Sequence, residues 1–362
     1  MLAPDTIYKS INQVKQGEYL KFKNNKIIEV VNYKAFNKKV SNLDFDDKIL
    51  TTKIEDAVKR QLFSDVPLGT FLSGGIDSPL ISAFAKKHKI DIEAFTLSVQ
   101  DKSLDEADLA TKYANHINCK QQISKIESKD ILGFVESHFN FMTEPFGDYS
   151  TIPTYVITKK ASKKQTVMLS GDGGDELFFG YPRMLRTLKL RHWFKIPYRV
   201  RKPLARLTIK MGVLKSWAPY NYQTISDYVL QQQSYISKTK LNSILPETNY
   251  PKAIKTIFEF NKSASKDSLL SSLRHNEFNG HLQRVLIKVD RMSMANNLEV
   301  RVPFLDKSVL DYGFGYLPQK FKGEKDLKKP LKKIMSLFYN KTLISTEKKG
   351  FAVPIDSWLK NE

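Results

Sequence analysis

Apolar and polar positions follow two patterns between residues 46 and 170: the spacing of helices, and short apolar runs typical of buried strands. The first apolar face at helical spacing consists of Leu50, Ile54, Val58 and Leu62. Strands are predicted at Leu68–Leu72, Ile92–Val99, Lys120–Ile126 and Thr166–Leu169. Four helices are predicted in the same region. They lie at Pro79–Lys87, after a capping box that begins at Ser103, along a face formed by Ile131, Val135 and Phe139, and at Ile152–Lys160. This alternation predicts an α/β fold, in which helices cover both faces of a parallel sheet.

The two ends of the chain follow other patterns. Tyr19–Lys23 alternates between apolar and polar residues, an Asn-Asn pair follows, and Ile27–Val31 completes the signal of a β-hairpin. An isolated hairpin is poorly stable, so we expect it to lean on other structure. After Tyr181 no further strand is predicted, and the remainder has mostly helical patterns.

The charge balance points to polyanionic partners. The 362 residues include 58 Lys and Arg against 38 Asp and Glu, which gives a net charge of +20. Such a surplus suits a nucleotide, a nucleic acid or an anionic membrane face. The stretch Arg183–Lys215 is rich in Arg and Lys and has no acidic residue. We favour a solvated helical face with apolar residues packed inward, because few aromatic residues are interleaved for base stacking. Nucleic acid is therefore not expected as a partner.

Cysteine content and hydropathy indicate a soluble, cytoplasmic protein. The single cysteine, Cys119, excludes an internal disulfide and a zinc ribbon, and it fits a reducing compartment. Met1–Gln16 contains no apolar core of signal-peptide length. No run of about 18 apolar residues occurs, so no membrane span is expected.

The first chemical motif is Ser73–Ser78, Ser-Gly-Gly-Ile-Asp-Ser, which follows a predicted strand and precedes a predicted helix. Glycines let backbone N–H groups approach an anion closely, and the helix directs its positive end toward that anion. Asp77 belongs among phosphate ligands only if a metal cation lies between them. A tight turn that happens to be rich in glycine is the alternative. The motif is no Walker loop, because no Lys-Ser or Lys-Thr follows, and it resembles the pyrophosphate loop of ATP pyrophosphatases.

A second glycine-rich turn, Ser170–Glu176, follows the strand predicted at Thr166–Leu169 and carries two aspartates and a glutamate. In an open parallel sheet, ligands bind beyond the carboxyl ends of the strands. Asp77 and Asp175 could therefore face one crevice and hold Mg²⁺ against a triphosphate. Acids that cap a helix start are the alternative for either loop, but two such loops at strand ends favour the nucleotide site.

Five motifs in order resemble one family. They are Ser73–Ser78, Ser170–Glu176 with Gly180-Tyr181, Val289–Met294, Glu299–Asp306, and Lys348–Phe351 with Pro354. This series is similar to the synthetase domain of glutamine-dependent asparagine synthase. The resemblance implies a fold of the ATP pyrophosphatase (adenine-nucleotide α-hydrolase-like) type with a mostly helical C-terminal half.

The N-terminal residues resemble the last stretch of that family's glutaminase domain. We therefore expect residues 1–38 to be a glutaminase remnant and residues 39–362 to be the synthetase-like ATP pyrophosphatase domain. The family's glutaminase uses a cysteine at the processed N-terminus as nucleophile, whereas Leu2 follows Met1 here. We expect no glutamine hydrolysis by this chain, which would then be a fragment, a split subunit or a shortened gene product.

The resemblance implies ligand-binding roles for both loops. Pyrophosphate contacts through N–H and hydroxyl groups are implied for Ser73, Gly74, Gly75 and Ser78. Adenosine contacts are implied for Leu72, Leu97, Ser98, Ser170 and Gly171. Leu72 and Leu97 could equally be strand core. Magnesium binding is expected of Asp77 and Asp175.

Catalytic roles are implied for Lys348, Asp172 and Asp175. Lys348 matches a lysine that neutralises charge on the α-phosphate, with Lys349 next if the register differs by one; an exposed surface lysine is the alternative. Asp172 matches an acid that orients ammonia or accepts a proton. A separate buried charge network of structural role is expected of Glu299, Arg301 and Asp306.

The resemblance implies that a carboxylate attacks the α-phosphorus of ATP and that ammonia then displaces AMP to form an amide. Aspartate is the expected acceptor, and ATP and Mg²⁺ are the expected cofactors. Other relatives on this scaffold amidate sugar acids, close β-lactam rings or cyclise peptides, so the acceptor stays open. A silent RNA-associated protein is the alternative from another class. A separate glutaminase subunit and a homodimer are left open as partners.

Overall fold

The computed structural model describes residues 2–33, 45–127, 130, 134, 138–211, 222–234, 236, 238–244, 258, 265–316 and 327–344. The strands are β1 (Glu18–Lys23), β2 (Lys26–Asn32), β3 (Leu68–Phe71), β4 (Glu93–Ser98), β5 (Lys120–Lys125), β6 (Val167–Leu169) and β7 (Glu299–Arg301). The helices to Leu190 are α1 (Asp47–Gln61), α2 (Asp77–His88), α3 (Ala107–His116), α4 (Thr151–Ala161), α5 (Gly174–Leu177) and α6 (Pro182–Leu190). The later ones are α7 (Tyr198–Lys210), α8 (Ile225–Gln232), α9 (Lys238–Ile244), α10 (Lys266–Asn276), α11 (Leu282–Met294), α12 (Lys307–Phe314) and α13 (Lys329–Met335).

Five strands form one parallel sheet in the order β5-β4-β3-β6-β7. The chain runs outward from β3 to β5 and then returns to add β6 and β7 on the other side of β3. The reversal places the topological switch point of the sheet between β3 and β6, where ligands bind in open α/β folds. The four predicted strands are confirmed. The expectation that strands end before Tyr181 is wrong, because β7 at Glu299–Arg301 forms an edge strand.

Both faces of this sheet are covered by helices. Val167 and Leu169 of β6 lie in a core cluster with apolar residues of α1, α2 and α3. Met168, between them, lies in a second cluster with Ile157 and Ala161 of α4. Because successive side chains of a strand point to opposite faces, these clusters pack on opposite sides of the sheet. The predicted fold class, a parallel sheet with helices on both faces, is confirmed.

Local hydrogen bonds decide where two of the helices begin. The carboxylate of Asp46 accepts a hydrogen bond from the Lys48 N–H and caps α1. The capping box predicted at Ser103 is wrong: the Ser103 hydroxyl donates to Asp101, and α3 begins only at Ala107. Short-range hydrogen bonds of this kind compete with helix formation.

The N-terminal hairpin is confirmed as an antiparallel pair, β1 with β2. Asn24 and Asn25 both have positive φ values, 50° and 58°, which suit the tight hairpin turn between them. A hydrogen bond from the Gln16 side chain to the Asn279 carbonyl joins this N-terminal region to the rest of the structure. A domain boundary near residue 38 stays a prediction.

The basic stretch is helical in α6 and α7, and its residues after Met211 lie outside the described ranges. Leu188 is buried as expected. Leu204 and Leu207 are 48% and 56% exposed, so the expectation that they pack inward is wrong. Arg201 is buried and donates to backbone carbonyls, the Ile196 carbonyl among them. Among the helices of the described residues, none is both long and apolar enough to cross a membrane.

Candidate active site

The two glycine-rich loops meet at the switch point of the sheet. One loop follows β3 and leads into α2, and the other follows β6 and leads into α5. A Cβ atom on Gly171 would lie 2.6 Å from the backbone nitrogen of Ser78, and one on Gly174 would lie 2.5 Å from Asp77 Oδ1. Only glycine permits this approach of one loop to the other. Gly173, with φ +87°, supplies the left-handed turn before α5.

Replacing Gly171 by alanine should therefore separate the loops. We expect a loss of about 1–3 kcal/mol of stability, since the added methyl group meets backbone atoms that cannot rotate away. Gly147 offers a matched control because, among the described residues, no atom beyond its own chain neighbours lies within 4 Å of a Cβ placed there. Urea unfolding of Gly171→Ala and Gly147→Ala measures both effects, and equal stabilities would contradict the close packing of the loops.

Two acidic side chains lie together where the loops meet. Asp77 begins α2 and Asp175 lies in α5, with side chains 14% and 11% exposed. The ammonium of Lys328 forms ion pairs with both carboxylates and lies 2.6 Å from Asp175 Oδ1. Two carboxylates are donors that suit Mg²⁺, so the pair fits that ion chemically, although Lys328 contacts both. Within the described ranges, no group of three or more His, Cys, Asp or Glu side chains is arranged to hold a metal.

The backbone of the first loop already interacts with oxygen atoms. The Ser73 N–H donates to the Ser78 hydroxyl at 2.9 Å, and the Gly75 N–H donates to the Ser73 hydroxyl at 3.2 Å. The Gly74 N–H donates to a carboxylate oxygen of Glu106 at 3.2 Å. This contact shows that a backbone N–H of the loop can bind an anionic oxygen. A phosphate at the start of α2 would be bound in the same way.

One cavity of about 280 Å³ collects most of the predicted site residues. Its lining includes Leu72, Ser73, Gly75, Asp77, Ser78, Leu97, Ser170, Gly171, Asp172 and Asp175. Further apolar lining comes from Phe71, Phe95, Val99 and Ile157. A cavity with an apolar lining and a few charged groups is the usual form of a small-molecule site.

Two predicted site residues do not line the cavity. Gly74 is absent from the cavity lining, and its N–H is directed to Glu106. Ser98 is also absent from the lining, and its hydroxyl donates to Asp105 at 3.0 Å. Lys348, like Lys349, lies outside the described residues. Their proposed roles stay predictions.

Asp172 is held by its own loop. The Ser170 hydroxyl donates to the Asp172 carboxylate, and the Asp172 N–H donates back to that hydroxyl at 3.1 Å. The carboxylate therefore lies at the cavity wall in a fixed turn. This fixed position suits an acid that contacts a reacting group.

Glu176 lines the cavity but carried no predicted role of its own. Burial, reinforced by the neighbouring Asp175 charge, raises the pKa of Glu176 to about 8. The Tyr181 hydroxyl donates to Glu176 at 2.6 Å. Glu176 is thus mainly protonated at neutral pH and adds little negative charge beside the two aspartates.

Lys288 was also missed by sequence reasoning. It lies on α11, is buried, lines the cavity and donates to the Ser150 hydroxyl at 2.9 Å. It also interacts electrostatically with Asp148, whose pKa is lowered on balance: burial raises it, but Lys288 and other partners outweigh that effect. The sequence gives little signal for Lys288. This residue lies just before the motif Val289–Met294 and not within it, and the chain contains many other lysines.

Comparison with known proteins decides the family. The family model described as asparagine synthase matches residues 50–362. The chain belongs to the asparagine synthase family. Within this family, the chain is 31% identical over 374 residues to asparagine synthetase (glutamine-hydrolyzing) 1 of Bacillus subtilis strain 168. It is 25% identical over 326 residues to asparagine synthetase (glutamine-hydrolyzing) 3 of the same organism.

These asparagine synthetase matches cover 99% and 84% of this chain. The chain spans 58% of the length of the first relative and 48% of the second. Family membership agrees with the resemblance of the five motifs, and the chain corresponds to the synthetase part of these proteins.

Two solved structures are also similar to this asparagine synthase family member. An NH3-dependent NAD synthetase from Campylobacter jejuni covers 38% of this chain and 62% of its own, with 21% identity and a TM-score of 0.29. The U34-tRNA thiolase NcsA from Methanococcus maripaludis covers 73% of this chain and 89% of its own, with 15% identity and a TM-score of 0.29.

The charge network expected of the family motif Glu299–Asp306 takes another form. Arg301 pairs with Glu299 at 2.6 Å, but the Glu299 side chain is 55% exposed. Asp306 pairs instead with Arg60 of α1 at 2.9 Å. The expected buried network is wrong: the motif supplies the edge strand β7 and two separate, partly exposed ion pairs.

Proposed function

We propose that this chain activates a carboxylate with ATP and then converts it to an amide with ammonia. A carboxylate resists nucleophiles because of its own negative charge. When its oxygen attacks the α-phosphorus of ATP, pyrophosphate leaves and that charge is removed. Ammonia then attacks the acyl carbon, and AMP leaves with its bonding electron pair. The supporting observation is that two glycine-rich loops and two carboxylates adjoin one cavity.

Each part of the reaction has candidate groups in the cavity. The loop at the start of α2 would receive the pyrophosphate part of ATP through N–H and hydroxyl groups. Asp77 and Asp175 would hold Mg²⁺, which when bound would neutralise phosphate charge. Asp172 would orient ammonia or take a proton from it. Lys348 is proposed for the α-phosphate from the motif alone.

Aspartate is the acceptor that we propose, since the curated relatives are named asparagine synthetases. Lys288 supports an anionic acceptor, because a buried ammonium that faces the cavity can pair with a carboxylate. A sugar acid, or an intramolecular amide in a peptide or β-lactam precursor, would use the same activation step. The acceptor is thus a matter for a direct test.

Ammonia is the nitrogen source that we propose for this chain. Its single cysteine, Cys119, is buried, and burial raises the pKa of the thiol. A thiol of this kind is a poor nucleophile. The relatives are named as glutamine-hydrolyzing, and a separate glutaminase subunit could supply ammonia here.

Pyrophosphate release, measured with ATP, magnesium and a panel of carboxylic acids, tests the proposal. We expect aspartate with ammonium to give pyrophosphate and AMP well above the background without acceptor, and glutamine not to replace ammonium. Release with another acid alone would transfer the assignment to that acceptor. No release with any acid, together with salt-dependent RNA binding, would contradict the enzymatic function.

A further inference from the structure

Lys328 is the cation that faces Asp77 and Asp175, and no sequence motif marked it. Its side chain is 4% exposed, and its ammonium contacts both carboxylates. The chain leaves room for this contact at Gly180, where a Cβ atom would lie 1.7 Å from Asp175 Oδ1 and 2.2 Å from Lys328 Cε. Any side chain at residue 180 would therefore displace the ion pair.

The local backbone does not favour a lysine at residue 328. It is the N-cap residue of α13, but its side chain makes no capping hydrogen bond. Its φ of 53° is left-handed, which is unfavourable for a residue with a Cβ atom. A positive charge beside the start of a helix also opposes the helix dipole. Three local disadvantages at one residue indicate that its contact with the aspartates compensates for them.

The charges around the pair support this interpretation. Two carboxylates at close range, with side chains only 14% and 11% exposed, repel each other unless a cation lies near them. Lys332 lines the same cavity, one turn further along α13. Lys328 forms ion pairs with both aspartates.

We propose that Lys328 is an internal counter-ion that competes with magnesium for Asp77 and Asp175. Free magnesium then binds weakly, because it must displace a buried ammonium from both carboxylates. The part of this inference that concerns nucleotide rests on the proposed function. ATP would bring magnesium to Asp77 and Asp175, and the ATP phosphates would then bind the displaced ammonium of Lys328. Lys328 is thereby a positioning residue for the carboxylates in the absence of nucleotide.

The test uses magnesium alone, without ATP or acceptor, on the wild-type chain and on Lys328→Met and Lys328→Gln. Thermal unfolding in EDTA should occur at a lower temperature in both variants, since the aspartates lose their cation. Millimolar magnesium should raise the midpoint of the variants by about 2 °C or more and change the wild type by less. Binding of Mn²⁺, followed by loss of the free-ion EPR signal, should be about tenfold tighter in the variants.

Lys333→Met is the matched control. Lys333 also forms an ion pair, with Asp47, but its side chain is 67% exposed, so its loss should leave the metal response as in the wild type. Equal metal responses of the wild type and the Lys328 variants would overturn the proposal, as would metal-insensitive variants. Because no nucleotide is present, these outcomes are independent of whether any acid supports pyrophosphate release.

Discussion

Replacement of Asp77 or Asp175 by asparagine is expected to lower ATP-dependent pyrophosphate formation by about a thousandfold or more. Each substitution keeps the shape of the side chain and removes one of two negative charges proposed to hold magnesium against the phosphates. Stabilisation of phosphoryl charge by a metal ion is worth several kcal/mol, and about 1.4 kcal/mol corresponds to a factor of ten in rate. Initial rates of pyrophosphate release at saturating ATP measure the effect.

Asp56→Asn is the control for these two variants, because Asp56 is an exposed carboxylate on α1. Its activity should equal that of the wild type. Thermal unfolding of all three variants separates a loss of chemistry from a loss of fold, since Asp77 and Asp175 also pair with Lys328. A folded Asp175→Asn protein with undiminished rates would remove Asp175 from the mechanism.

The sequence was sufficient for the parallel sheet and for the position of the loops, because both follow from local patterns. Short apolar runs such as Thr166–Leu169 alternate with helical spacing, and this alternation favours a parallel sheet. Loops that follow parallel strands lie at one edge of the sheet, so Asp77 and Asp175 were expected at that edge. That β3 and β6 are neighbours follows only from the complete strand order.

The missed features depend on contacts between distant residues. β7 has three residues, too few for a periodic pattern, and it forms by pairing with β6. Lys328 reaches Asp77 across 251 positions of sequence, and in a chain with 58 Lys and Arg no local signal distinguishes it. A buried charged residue that belongs to no motif, such as Lys328, is therefore difficult to find from a single sequence.

A second ion pair, Arg183–Glu277, lies beside residues that line the cavity, with Glu277 buried and the Arg183 side chain 23% exposed. Glu277 begins a short π-helical turn, Glu277–His281, between α10 and α11. It is 2% exposed and accepts hydrogen bonds from Arg183 Nε at 2.8 Å and Nη2 at 2.5 Å. The Arg183 guanidinium lies 3.8 Å from the centre of the Tyr181 ring, and Tyr181 donates to Glu176. The pair thus fixes the aromatic residue that holds a cavity-lining acid.

Glu277→Ala should destabilise the protein by about 3 kcal/mol, because it leaves the largely buried Arg183 guanidinium, whose side chain is 23% exposed, without its carboxylate. Glu299→Ala removes a carboxylate from the comparable pair with Arg301, but Glu299 is 55% exposed, so its cost should be at most about 1 kcal/mol. Urea unfolding of both variants gives the comparison. A double variant, Arg183→Met with Glu277→Leu, should regain most of the loss, since a well-packed apolar pair carries no uncompensated charge. If the double variant were as unstable as Glu277→Ala, the loss of stability would come from packing of the π-helical turn and not from the unpaired charge of Arg183.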